Sequence, residues 1–402
     1  MKRLILLLTL SLLIVLLAGC AGKKVRCTSP EDNPQHHYLR GMEALEAGKI
    51  DEAQAKFERS IFCNDEFGPG FAGLAIVYAE KAKAQADTGF RTIEAERVRE
   101  NLAKAQKNAD NAEDRFDYQL ARLRTAPLLK EKKWLTTAED ACSDARELPV
   151  DEAKLVYYQG KEAAAYYLGL AYLEALEFQK ARNQFEQVLN AKREVKWHDK
   201  ADRAWKRVDR IVRAMAGMTV GDVGKKIAVK ESVSRGDLAA LFIDELKIDK
   251  LFAGRIPVAS QVAKQQAEFT PADVVDYQFK VEILTLMKWK VRGMEPKYDE
   301  TTKAYLFKPT EPVNRGELAL TLEDVLIKLT GDEKLATAYL GQDKSPFPDV
   351  RPTSSYYNAV LNMTTRGIIE GELSGDFRVN DPVDGADAIL AIRVLQQKIN
   401  IH

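Results

Sequence analysis

Apolar and polar positions follow three different patterns along the chain. The first is an apolar run over residues 4–17, broken only by Thr9 and Ser11 and preceded by Met1, Lys2 and Arg3. It falls short of the ~20 apolar residues that span a bilayer, and its basic start and small-residue end predict a secretory signal. The second pattern runs from residue 36 to about 215, where apolar residues recur every three or four positions and alanine is frequent. That period predicts amphipathic helices, each with one buried face. The third begins after Met218, where short apolar helices alternate with Gly, Pro and Asp. The expected fold is mainly α: stacked helical hairpins, then a second, mostly α-helical repeat domain.

Within the second pattern, Leu102, Ala105, Ala109, Ala112, Phe116, Leu120 and Leu123 mark one face of a long helix, which Pro127 is expected to interrupt. Trp134, Leu135, Ala138, Ala141 and Ala145 predict another helix, stopped near Pro149. Internal similarity is visible as well. Leu168-Gly169-x-x-Tyr172 followed by Ala181-x-x-x-Phe185 has an earlier counterpart in Gly41-x-x-Ala44 followed by Ala53-x-x-x-Phe57, and Phe71-x-x-Leu74-Ala75-x-x-Tyr78 begins a further copy. Small residues at Gly41, Ala53, Gly169 and Ala181 let antiparallel helices approach, while Phe57 and Phe185 fill the space between hairpins. This order resembles the tetratricopeptide repeat. The resemblance implies a helical-hairpin solenoid over residues 36–215 whose concave surface binds a peptide or another protein. Tyr157, Tyr158, Tyr166, Tyr167 and Tyr172 are the aromatic candidates for that surface, with packing between helices as the alternative. Residues 201–214, rich in Arg and Lys, are expected to form a solvated end cap.

In the third pattern, Val233-Ser234-Arg235-Gly236-Asp237-Leu238-Ala239 recurs as Val313-Asn314-Arg315-Gly316-Glu317-Leu318-Ala319, and more weakly as Val383-Asp384-Gly385-Ala386-Asp387-Ala388-Ile389. Ser234, Asn314 and Asp384 are placed as helix N-caps with an acid three residues on, as in a capping box. Phe347-Pro348-Asp349-Val350, Arg366-Gly367-Ile368-Ile369, Phe377 and Asn380-Asp381-Pro382 have earlier counterparts in Ala272-Asp273-Val274, Arg292-Gly293-Met294 and Phe307-Lys308-Pro309. This succession resembles the S-layer homology domain over roughly residues 229–398. The resemblance implies non-covalent binding of cell-wall glycan in grooves between repeats, often of an anionic, pyruvate-modified sugar. By position, Arg235 and Arg315 would be the anion-binding residues, since a planar guanidinium pairs well with a carboxylate; Asp237 and Glu317 would cap the helix or orient the site. Arg351 and Arg366 are further candidates. Gly385 replaces the arginine in the third copy, the first copy lacks its Asp-Val helix unless the preceding segment supplies it, and Tyr356 or Tyr357 stands where the family carries a tryptophan.

Leu17-Ala18-Gly19-Cys20 resembles the lipobox of bacterial lipoproteins. That resemblance implies cleavage before Cys20 and a covalent lipid on its thiol, and several acyl chains anchor stably at ~0.8 kcal/mol per buried CH2. The resemblance further implies, from Ala21 standing where such lipoproteins carry an Asp for inner-membrane retention, the periplasmic face of an outer membrane. Lys23, Lys24 and Arg26 form a basic tether. Cys27, Cys63 and Cys142 remain in a compartment that oxidises thiols. Three pairings are open; Cys27–Cys63 would pin the tether to the first repeat, and buried unpaired cysteines are the alternative.

Lys+Arg and Asp+Glu both number 60 in 402 residues, so neither a nucleic acid nor a strongly acidic partner is indicated. No phosphate loop, nucleophile elbow, paired metal-binding histidines or catalytic Cys/His motif is present, so no catalytic residue, metal or cofactor beyond the lipid is assigned. The expected organisation is a signal at 1–19, a lipidated tether at 20–35, helical repeats at 36–215, a linker at 216–228 and an S-layer-homology-like domain at 229–402. The expected function is that of a non-enzymatic envelope adaptor: lipid in the membrane, repeats on an envelope protein, the last domain on wall polysaccharide or peptidoglycan. The alternatives are an assembly or pilot lipoprotein of a secretion, pilus or polysaccharide-export machine and, at greater distance, a wall-modifying enzyme.

Overall fold

The computed structural model describes residues 26, 27, 29–191, 196–255 and 267–399; the signal, Cys20 and residues 20–25 of the tether lie outside them. The chain is mainly α-helical and divides into two compact units, Met1–Val208 and Asp209–His402. The division falls inside the helix His198–Ala214, a little before the boundary expected at residue 215. No helix among the described residues is long and apolar enough to cross a membrane.

In the first unit, helices pack pairwise in chain order. They are α1 (Pro34–Glu46), α2 (Ile50–Cys63), α3 (Gly68–Ala84), α4 (Thr88–Lys107), α5 (Ala112–Leu129), α6 (Trp134–Glu147), α7 (Glu162–Glu174) and α8 (Phe178–Asn190), followed by α9 (His198–Ala214). Local chemistry sets their starts. Asn33 accepts from the His36 N–H with Pro34 in the first turn, and Asp87 accepts from Gly89 and Phe90. The apolar stripe through Leu102 and Leu123 is not one helix. Asn111 accepts from the Asp114 N–H and starts a new helix there, so the stripe is shared by α4 and α5. Pro127 does not interrupt α5 either; it sits in the last turn, where only one backbone bond is lost.

Phe57 shows why small residues recur. Its ring is fully buried, and a Cβ at Gly41 or Gly73 would stand 2.5 or 2.3 Å from it. The ring therefore wedges between the first helices of two successive hairpins. Phe185 packs likewise on Gly169. Cys27 and Cys63 form a disulfide, which ties the segment before α1 to the end of α2. Cys142 is buried and unpaired, and burial pushes its thiol up.

The second unit contains α10 (Asp222–Ala228), α11 (Arg235–Ala240, continued by a π turn over Leu241–Glu245), α12 (Ile248–Arg255), α13 (Lys280–Lys288), the hairpin β1–β2 (Lys297–Asp299 and Ala304–Leu306), α14 (Arg315–Thr330), α15 (Tyr357–Thr365) and α16 (Gly385–Ile399). The stretch 216–228 is thus not a bare linker, since α10 lies in it. The capping boxes of Ser234 with Asp237 and of Asn314 with Glu317 both form. Immediately before the three repeat helices, the buried valines close a ring. Val313 donates to the Val233 carbonyl (2.9 Å), Val383 to Val313 (3.0 Å) and Val233 to Val383 (2.8 Å). Each valine thereby satisfies one donor and one acceptor in a dry centre, and the three copies are arranged cyclically about it.

Candidate functional site

Each repeat helix meets the loop of the next copy through its first residues. Arg235 donates from Nε to the Phe307 carbonyl (2.9 Å), from Nη1 to Gly293 (2.7 Å) and from Nη2 to Glu295 (2.9 Å), with its guanidinium 4.8 Å from the Phe307 ring centre. Arg315 repeats the device one copy on, donating to the Phe377 (2.8 Å) and Glu370 (2.6 Å) carbonyls with its guanidinium 4.9 Å from the Phe377 ring. Arg235 is only 2% exposed, and burial pulls its pKa below the usual value despite acidic neighbours led by Glu317. It is placed to bind backbone, out of reach of a glycan carboxylate. Arg315 is nearly as buried, yet it borders a cavity.

Asp237, at 1% exposure, accepts from Lys230 (2.7 and 2.8 Å) and from the Ser234 N–H and hydroxyl. Of the two roles open to it, capping is the one its contacts serve. Glu317 accepts from the Asn314 N–H (3.1 Å) and lies 3.7 Å from the Lys297 ammonium. Arg351 is exposed and Arg366 donates to Asn362; neither lines the cavity.

Two carboxylates gain a role that the sequence reading did not give them. Asp273 accepts from the Phe307 (3.1 Å) and Lys308 (2.6 Å) N–H groups, and Asp349 from Phe377 (2.8 Å) and Val379 (3.1 Å). Burial alone would raise the Asp349 carboxyl, but these N–H groups outweigh it and hold it below its usual range. The Asp-Val start of a repeat is therefore the clamp on the phenylalanine loop that its own chain reaches some thirty residues later.

The third copy departs for a visible reason. A Cβ at Gly385 would lie 1.8 Å from the Ile227 carbonyl oxygen, and the Gly385 N–H donates to Lys230 (2.9 Å). α10 and the residues after it occupy the place taken elsewhere by the phenylalanine loop. No arginine fits there.

A cavity of about 720 Å³ opens between α14, the loop 367–372, the loop 378–383 and α16. Arg210, Arg315, Arg378 and Arg393 line it, and so do Glu231, Glu370, Glu372, Asp381, Asp384 and Asp387. The arginines are already engaged. Arg210 bridges Asp384 and Asp387, Arg378 pairs with Asp381 and Glu372, and Arg393 donates to the Arg213 and Ala216 carbonyls. Among the described lining residues, carboxylates outnumber arginines and each arginine already holds a partner, so the lining suits a ligand rich in hydroxyls, which can use donors and acceptors alike, better than a second anion.

In the first unit, a smaller cavity of about 260 Å³ lies against α3, α5 and α7, with Leu123, Leu170, Arg124 and Tyr167 on its wall. Arg124 stacks over Tyr167 at 4.5 Å. Tyr157 and Tyr158 are not surface residues. Both are 1% exposed, the Tyr157 hydroxyl donates to Glu46 (2.8 Å), and the Tyr158 carbonyl accepts from the Trp197 indole (2.6 Å). Tyr172 is buried with its hydroxyl on Glu139. Among the described residues, Cys27, Asp32 and Cys63 come within metal-ligand spacing, but the disulfide withholds both thiolates, the form of cysteine that binds metal.

Residues 346–389 match the S-layer homology domain family. That part of the chain carries such a domain, a binding module associated with cell envelopes, and it contains the Asp349 clamp, α15 and much of the lining of the larger cavity. No curated protein and no solved structure matches the chain.

Proposed function

We propose that this protein is a non-enzymatic adaptor of the bacterial cell envelope. In this reading lipid on Cys20 holds one end on a membrane, the helical hairpins, read as tetratricopeptide-like repeats, engage an envelope protein, and the second unit binds cell-wall glycan. The observation that carries it is the S-layer homology match over the segment that lines the 720 Å³ cavity. The glycan we favour there is neutral and hydroxyl-rich rather than a pyruvylated anion, because every lining arginine is already engaged.

Co-sedimentation of the purified chain with wall sacculi tests the glycan step. Retention is expected, together with its loss in Glu372→Ala/Arg378→Ala, which strips the cavity rim without touching the buried carbonyl contacts. A chain that stays in the supernatant rejects glycan binding. The anchor is tested by fractionation, where Cys20→Ala is expected to move the protein out of the membrane fraction. Crosslinking in cells separates an adaptor from an assembly lipoprotein: a secretin or export channel as main partner would favour the second.

A further inference from the structure

The loop that rims the cavity in the matched repeat is short, running through Glu372 and Asp376 to Phe377. Its counterpart one copy earlier is enlarged into the β1–β2 hairpin, between Glu295 and Phe307. Both feet of this hairpin are fixed by one buried side chain, since Arg235 binds the carbonyls of Gly293 and Glu295 on one side and Phe307 on the other. Its turn is fixed too: Asp299 accepts from the N–H groups of Thr301 (3.1 Å) and Thr302 (2.8 Å).

On this stage stand aromatic rings in water. Tyr298 and Tyr305 are directly opposed across the two strands, with ring centres 5.3 Å apart, and Phe269 adds a third ring 6.2 Å from Tyr305. Their exposures are 47%, 56% and 43%. Cross-strand pairing accounts for two rings being opposed. It does not account for a third ring from outside the hairpin joining an exposed patch, and contiguous exposed apolar surface marks a contact site.

We infer that Tyr298, Tyr305 and Phe269 form a stacking platform for the pyranose rings of a glycan strand. The inference rests on the glycan-binding reading above and names a second contact for the same ligand. A pyranose presents an apolar C–H face that packs on an aromatic ring through weak C–H contacts, while its hydroxyls need polar partners at the edge. Glu300 and Lys303, paired at 3.1 Å in the exposed turn beyond the rings, supply polar groups at one end, while Lys297 and Asp299 alternate to the other face of the hairpin. The occupant is argued from continuity, because the hairpin is the enlarged form of the loop that rims the cavity in the S-layer homology repeat.

The test is co-sedimentation of the full chain with sacculi over a range of chain concentrations. Tyr298→Thr/Tyr305→Thr removes both rings but keeps strand-favouring residues. It is expected to bind about tenfold more weakly, equivalent to ~1.4 kcal/mol. Tyr298→Phe/Tyr305→Phe keeps the rings and is expected to bind within about twofold of the unaltered chain. Phe269→Ser, outside the hairpin, removes the third ring without touching the strand pair and is expected to weaken binding about threefold. Undiminished binding by the Thr and Ser variants, with Glu372→Ala/Arg378→Ala still defective, overturns the platform and leaves the cavity reading intact. Equal weakening by the Phe and Thr pairs also overturns it, since recognition would then rest on the hydroxyls. An unaltered chain that fails to sediment overturns both readings.

Discussion

Replacing Arg235 decides whether this motif arginine is a ligand contact or a strut. Arg235→Met keeps most of the volume and the apolar stem over Phe307 but strands the carbonyls of Phe307, Gly293 and Glu295 in a site only 2% exposed. A hydrogen bond to a charged group is worth ~1.5–3 kcal/mol, and three bonds that share one donor are not additive. Leaving buried carbonyls without a donor costs ~1–3 kcal/mol each, so with non-additivity a loss of about 4 kcal/mol is expected for the second unit. Arg235→Lys should still lose ~2–3 kcal/mol, because a single ammonium cannot reproduce the planar fork. Hydrogen exchange at the Val233, Val313 and Val383 amides under increasing urea reads the second unit by itself, which matters because two units need not unfold together. Protection in Arg235→Met should collapse at markedly lower urea, and sacculus binding should fall only as far as folding does. A variant with unchanged exchange and abolished glycan retention would refute the reasoning and return Arg235 to the ligand.

Three other perturbations have defined outcomes. Gly385→Ala should destabilise the second unit by ~2–3 kcal/mol in urea denaturation, because the new methyl meets the Ile227 backbone, whereas Gly316→Ala meets the movable side chains of Val379 and Tyr356 and should cost less. Cys27→Ala/Cys63→Ala opens a loop with sequence separation 36, and the first unit should lose about 2–4 kcal/mol by the same measurement. Glu46 is the pH probe: burial would raise its carboxyl, but Lys200, Tyr157 and Lys196 prevail and lower it to about 2, below the ~4.3 of an unfolded chain. A carboxyl lowered by folding stabilises at pH values above its unfolded pKa and loses that contribution as pH falls through its folded one. Glu46→Gln should therefore be the less stable protein near neutrality. The gap should shrink between pH ~4.3 and about 2, and a gap that stays constant on acidification would refute the assignment.

What the sequence disclosed follows from what periodicity encodes. A helical period records which face is buried, so the hairpins, the capping boxes and the Phe57 and Phe185 wedges were legible from spacing alone. Breaks were harder. Between Asn108, which caps the end of one helix, and Asn111, which caps the start of the next, the turn leaves the apolar period undisturbed, because its length keeps both stripes in phase. Pro127 misled in the opposite direction, since a proline's effect depends on its distance from the helix end. The motif arginines were found, but a one-dimensional pattern cannot tell a guanidinium aimed at a ligand from one aimed at carbonyls of the next repeat. The aromatic hairpin left a usable signal: Tyr298 and Tyr305 stand in an insertion between two recognised repeat elements.

The valine ring makes the three copies equivalent at the centre, yet their outer seams are not. Where the third copy meets the first, the Ile227 backbone fills the position of the missing arginine, which closes that seam. Where the first meets the second, Lys297 reaches toward Glu311 and Glu317 and the hairpin rises beside it. Where the second meets the third, a side chain from another element, Arg210, holds Asp387, the counterpart of Glu317, together with Asp384, and beside them a cavity stays open. The absence of arginine at Gly385 thus goes with this closed seam, where α10 and the residues after it fill the place of the phenylalanine loop. Under the proposed function, the cavity and the aromatic rim together make the domain a weak binder. Residence at the wall would then depend on the high effective glycan concentration that membrane anchoring at Cys20 imposes. On that logic a weakly binding domain suffices if, as proposed, Cys20 holds the other end of the chain on a membrane.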